Sequence, residues 1–113
     1  MVTSTPQRLL FTGAHILAPV DDWDPGWLLT EGSRISLIGP GRAPDFPPGY
    51  VSEHIDTTGQ SLLPGFIDLH VHGAVGHEAM DASTDGLRAM ARFFGQHGVT
   101  AFLPTTWTGS REA

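Results

Sequence analysis

A short apolar run from Pro64 to Gly73 carries metal-competent side chains at alternate positions, and it constrains the fold more than any other stretch of the chain. In a β-strand successive side chains point to opposite faces. Phe66, Asp68, His70 and His72 therefore share one face, and Ile67, Leu69 and Val71 the other. An ordinary half-buried strand turns its apolar face inward and its polar face to water. Here the aliphatic face is expected to pack under helices, leaving an acid and two imidazoles facing the other way, as in the lumen of a parallel barrel. The His pair then closes the strand just ahead of Gly73-Ala74-Val75-Gly76, at the end where (β/α) barrels build their active sites.

Eight-stranded barrels of that kind take roughly 250 residues. A chain of 113 residues is thus expected to be part of a larger protein. Its apolar content of 40% and charged content of 16% are those of a chain that folds. The net charge is -6, and all six basic residues are scattered arginines, so no cluster is available to neutralise a run of phosphates and nucleic acid is excluded as a partner. Without cysteine there are no thiolate ligands, and any metal site must use His and carboxylate. No leader pattern opens the chain and no apolar run approaches a membrane span, so no membrane partner and a cytoplasmic location are expected.

The first half reads as short strands without helix signals. Apolar runs at Arg8 to Phe11 and His15 to Leu17 flank Thr12-Gly13, which predicts two short strands and a turn. Asp21 to Gly26 is expected as a loop, and Trp27 to Thr30 and Arg34 to Ile38 as a hairpin about Glu31-Gly32-Ser33. The stretch from Gly39 to Gly49, with Pro40, Pro44, Pro47 and Pro48, is expected to be irregular and exposed. Tyr50 to Asp56 gives one more strand. Past the His pair the period changes from two to 3.6: Leu87, Met90, Ala91 and Phe94 form a helical face, with Ser83 or Thr84 as N-cap and His97-Gly98 at the C-terminus. Val99 to Leu103 is a second strand, completing one βαβ unit with parallel strands. The fold class expected is α/β, with residues 1–61 as part of a small β-sandwich domain and residues 62–113 as the first βαβ unit of a barrel, both incomplete.

A His-x-His pair on one strand face sets two imidazoles about 7 Å apart along the backbone, near enough to converge on one ion. By itself the pattern is weak, and two surface histidines explain it as well. Asp68 on the same face, the aliphatic opposite face, and Gly73 and Gly76 at the strand's end favour metal or substrate binding. Two ligands do not complete a catalytic zinc.

The sequence Leu63-Pro64-Gly65-Phe66-Ile67-Asp68-Leu69-His70-Val71-His72 resembles the first barrel strand of the amidohydrolase superfamily, whose signature is PGFID followed by H-x-H. The continuation Gly73 to Ser83 and the segment His97 to Thr106 resemble one branch, the N-acetylglucosamine-6-phosphate deacetylase type. This resemblance implies metal-dependent hydrolysis of the acetamide of N-acetylglucosamine 6-phosphate to glucosamine 6-phosphate and acetate. It further implies a divalent metal (zinc first; iron, manganese or cobalt otherwise), a small amino-sugar phosphate as partner, and a homodimer in full-length form. By position it makes His70 and His72 metal ligands, Asp68 a residue orienting the strand end, and Gly73, Ala74, Val75 and Gly76 a loop bordering substrate. The family's remaining ligands, its catalytic aspartate and its phosphate-binding groups have no counterparts here. No catalytic residue is expected within the chain, and the chain alone is expected to be inactive. A dihydroorotase- or hydantoinase-like amidohydrolase and a non-catalytic truncated product are the alternatives. His77, Glu78, Asp81, Thr105 and Thr106 flank the same rim and are read mainly as loop and capping residues, and His15 and His54 as surface strand residues.

Overall fold

The computed structural model describes residues 6–110; residues 1–5 and 111–113, the outer ends of the two expected domains, lie outside the described residues. The chain forms two compact units, one ending at Pro64 and one beginning at Gly65.

The first unit is a five-stranded mixed sheet of β1 (Arg8–Leu17), β2 (Asp22–Glu31), β3 (Arg34–Pro40), β4 (Glu53–Asp56) and β5 (Ser61–Leu62). β1 lies between β2, antiparallel, and β4 and β5, both parallel. Two expectations fail at this point. Thr12-Gly13 does not turn the chain: β1 is continuous, and its pairing with β2 slips once between Thr12 and Ala14 and again between Ala14 and Ile16. Gly13 takes φ +83° at this irregularity, and a Cβ there would meet the Thr58 hydroxyl. The glycine therefore serves a bulge and not a turn. Asp22 to Gly26 likewise belongs to β2 and not to a loop, since Trp23 and Gly26 find partners on Ile16 and Ala14 that outweigh the local turn signal.

Leu10, Trp27 and Leu29 form the core of this sheet. The proline-rich stretch is irregular as expected, but it is more than an exposed loop. Ala43, Phe46, Tyr50 and Val51 fold back against the core, with Phe46 edge-on to Trp27 at 6.2 Å and stacked on Tyr50 at 5.4 Å. Arg8 lies over the Tyr50 ring, 4.3 Å from its centre, and pairs with Glu31 at 2.6 Å. Past β4 the chain turns through Asp56, whose Oδ1 accepts from the Thr58 hydroxyl at 2.6 Å and the Thr58 backbone N–H at 2.9 Å. These two donors favour the ionised form and hold the Asp56 carboxyl below the usual carboxylate range.

The second unit holds β6 (Phe66–Val71), a hairpin of β7 (Gly73–Ala74) and β8 (His77–Glu78), a 3₁₀ turn (Ala79–Asp81), α1 (Thr84–Gln96) and β9 (Val99–Pro104). β6 and β9 pair in parallel, so the expected strand, helix, strand unit is present. Ser83 caps α1 by accepting the Gly86 N–H, and Gly98 leaves the helix at φ +81°. On the predicted face Met90 is fully buried, Leu87 and Phe94 are half-buried, and Ala91 is exposed. Burying Met90 contributes about 1.5–3 kcal/mol. Phe94 packs on Phe102 of β9 at 4.9 Å. The helix covers β9 and the hairpin and leaves the aliphatic side of β6 open. Ile67 and Leu69 are 64% and 69% exposed, as expected of a single βαβ unit taken alone.

Gly65 has a specific reason to lack a side chain: a Cβ there would overlap the Thr100 side chain of β9. Gly65→Ala is expected to part the two strands and to speed hydrogen exchange at the Phe66 amide, which donates to Gly98 O at 2.9 Å. Gly95 in α1 faces open space, and Gly95→Ala should instead slow exchange along the helix by an amount equivalent to about 0.5–1 kcal/mol.

Candidate metal-binding pair and its rim

His70 is the last residue but one of β6 and His72 follows its final residue, Val71, so the strand's alternation brings both rings to the same side. Their Nε2 atoms are 3.1 Å apart and their ring centres 4.8 Å apart, nearly perpendicular. Two nitrogens each about 2.0–2.1 Å from one tetrahedral ion lie roughly 3.3 Å apart, so this separation fits a shared divalent cation. The donor set fits as well, since imidazole suits zinc and iron.

His72 has a defined outer partner. Its Nδ1 donates to the Thr105 backbone carbonyl at 2.9 Å, which leaves Nε2 with a free lone pair. Without a cation, His70 Nε2–H can donate to that lone pair. With one, both nitrogens must be unprotonated. Thr105 acts as a backbone tie more than a rim side chain: its N–H donates to Val71 O at 2.8 Å, its hydroxyl donates to Leu103 O at 3.1 Å, and the same oxygen accepts the Val71 N–H at 3.3 Å. Asp68 is half-buried, and its Oδ1 accepts the His70 backbone N–H at 3.0 Å. That contact fixes the strand end and turns the carboxylate toward backbone.

Gly73, Ala74, Val75 and Gly76 form most of a tight hairpin, with Ala74 paired to His77. Val75 at φ 49° and Gly76 at φ 79° give the two positive values that a type I′ turn requires. For a β-branched residue such as Val75 that conformation is strained. A Cβ on Gly73 would meet the His77 carbonyl, so only glycine allows the hairpin to close. The hairpin residues line an open cleft of about 370 Å³. Its base is held by Ala79 N–H donating to His72 O at 2.7 Å, and by Asp81, which accepts the Glu78 N–H at 2.8 Å.

The remaining histidines stay apart from the pair. His77 packs over Gly86 in the first turn of α1, and His97 Nδ1 lies 2.8 Å from Phe93 O. In the first unit His15 pairs with Asp22 at 2.6 Å and His54 with the Thr12 hydroxyl at 2.7 Å. Among the described residues no group of three or more His, Cys, Asp or Glu is gathered where it could hold an ion. One contact was not anticipated: the Trp107 indole lies against the His72 ring, 4.9 Å between centres and tilted by 40°. Its signal in the sequence is an aromatic residue two positions past Thr105, at the end of the strand that neighbours the pair.

No family profile matches the chain. It is 55% identical over 47 residues to the N-acetylglucosamine-6-phosphate deacetylase of Vibrio furnissii, covering 42% of this chain and 12% of that protein. To the Bacillus subtilis deacetylase of the same name it is 37% identical over 84 residues, 74% of this chain and 20% of that one. A dihydroorotase from Desulforapulum autotrophicum is 40% identical over 96 residues, 83% of this chain and 21% of the relative. Among solved structures, the Pasteurella multocida N-acetylglucosamine-6-phosphate deacetylase superposes with a TM-score of 0.79 at 32% identity, over 93% of this chain and 27% of that one. A mutant of the Mycobacterium smegmatis deacetylase in complex with N-acetyl-D-glucosamine-6-phosphate gives 0.77 at 25% identity, over 94% and 26%. The chain thus spans about an eighth to a fifth of the length of these curated relatives.

Replacing Val75 by Asn, which enters the left-handed region readily, is expected to relieve the turn by about 1–2 kcal/mol. The Val75→Asn chain should show slower amide exchange across the Gly73–Glu78 pair, with no change along α1.

Proposed function

We infer that the chain belongs with the N-acetylglucosamine-6-phosphate deacetylases of the amidohydrolase superfamily, and that it supplies the first strand of a (β/α) barrel, preceded by strands of a β-sandwich, to such an enzyme. The reaction proposed is hydrolysis of N-acetylglucosamine 6-phosphate to glucosamine 6-phosphate and acetate. A phosphorylated sugar is held inside the cell by its charge, which places the reading in the cytoplasm. A homodimer belongs to the same reading.

The observation that carries it is the His70 and His72 pair, with Nε2 atoms 3.1 Å apart and the outer nitrogen of His72 tied to Thr105. These two residues would hold a divalent cation, which when bound polarises a carbonyl oxygen and lowers the pKa of water. The chain's own part is positioning. Asp68 holds the strand end through the His70 N–H, Thr105 directs the His72 ring, and the Gly73 to Gly76 turn offers backbone close to the rim. Two imidazoles leave the coordination of a catalytic zinc incomplete, so the proton transfers and the remaining ligands fall to residues outside this set.

Dihydroorotase is the second reading, favoured by the length of the match to the Desulforapulum protein, 96 residues against 47 for the Vibrio deacetylase. The higher identity of the latter and the deacetylase structures favour the first.

Calorimetric titration of the purified chain with zinc should show one site that His70→Asn or His72→Asn weakens by at least about tenfold, since loss of an outer partner alone costs about 10–100-fold. Unchanged zinc binding in the double variant would rule the pair out. With zinc supplied, the chain alone should release no acetate from N-acetylglucosamine 6-phosphate. Joined to the remainder of the Pasteurella multocida barrel it should do so, and acquisition of dihydroorotate hydrolysis instead would select the second reading.

A further inference from the structure

We propose that Trp107 is a positioning residue for His72, holding the imidazole in the tautomer and orientation that leave Nε2 free for a divalent cation. The inference rests on the reading of His70 and His72 as a metal-holding pair and extends it to a residue outside that pair.

Three contacts surround the His72 ring. Nδ1 meets the Thr105 carbonyl at 2.9 Å, Nε2 meets His70 Nε2 at 3.1 Å, and the Trp107 indole lies beside the ring, tilted by 40° with 4.9 Å between ring centres. A hydrogen bond at one ring atom sets a direction in the ring plane and leaves the plane free to swing about it. An indole packed beside the ring at this tilt blocks that swing on one side. Without it, a tilt of the ring would lengthen the Nδ1···O contact, and the Nε2-protonated tautomer, which cannot bind a cation through Nε2, would become populated.

Trp107 is suited to this task by its place. It lies two residues beyond Thr105, so one segment after β9 presents both the carbonyl and the indole to the same ring. It is 48% exposed, so its large apolar side chain is not a core residue whose loss would collapse the unit. The core of this unit lies elsewhere, at Met90 and the Phe94 to Phe102 contact. A half-exposed indole beyond the end of β9 lies outside the unit's core, so its truncation acts chiefly on the ring beside it.

The test uses the purified chain, with Trp107→Ala, Trp107→Phe and wild type compared under one set of conditions at pH 8. Long-range ¹H–¹⁵N correlation reads the His72 tautomer without metal, and calorimetric titration with Co²⁺ reads affinity. Wild type is expected to show His72 as the Nδ1-protonated tautomer. Trp107→Ala should show mixed tautomers and about tenfold weaker Co²⁺ binding, with amide exchange on β6 and β9 unchanged, and Trp107→Phe should retain both wild-type properties. Fixed tautomers in Trp107→Ala overturn the proposal whatever the affinity does, as does a Phe variant as impaired as the Ala variant. If wild type binds no Co²⁺ while Trp107→Ala alone loses the fixed tautomer, the positioning role stands and the metal-holding reading falls.

Discussion

Parallel pairing of β6 with β9 is the interaction on which the site depends. It brings residues more than thirty positions apart to one rim, so that Thr105 can bind Val71 through both backbone and side chain and accept from His72 Nδ1. That closeness requires Gly65, because Thr100 occupies the space any other residue's Cβ would need. The Pro-Gly-Phe opening of the strand is therefore explained by packing, and the alternation of the His-x-His that closes it brings the two imidazoles to one side. Each depends on the other, since imidazoles whose strand end is not tied to its neighbour have no common point to face.

Below the pair, the hairpin and the 3₁₀ turn form a second set of ties. Ala79 N–H closes on the His72 carbonyl, and the hairpin it supports keeps Val75 in a left-handed conformation that a β-branched residue rarely adopts. Strain of this kind persists only where neighbouring contacts over-determine it. Here the Gly73 approach to His77 and the Asp81 contact to Glu78 do so.

Much of this was legible in the sequence because its strongest signals are periodic and local. Alternation placed His70 and His72 together, and the 3.6-residue spacing of Leu87, Met90 and Phe94 with Ser83 ahead of it fixed the helix and its cap. The misreadings share one cause, local punctuation overridden by pairing. Thr12-Gly13 has turn chemistry, yet β2 and β4 flank it and make it a bulge. Asp22 to Gly26 carries Asp, Pro and Gly, yet β1 takes it into the sheet. Trp107 was passed over because its one signal, an aromatic two positions past Thr105, gains meaning only once the ends of β6 and β9 are known to meet.

The central claim is that His70 and His72 take one ion between them. X-ray absorption at the zinc edge of the chain loaded with one equivalent of metal tests it most directly. The account predicts multiple-scattering signals from two imidazoles, falling to one in either single His→Asn variant and to none in the double variant. Imidazole scattering that survives in the double variant, or a shell of oxygen alone in wild type, would contradict it.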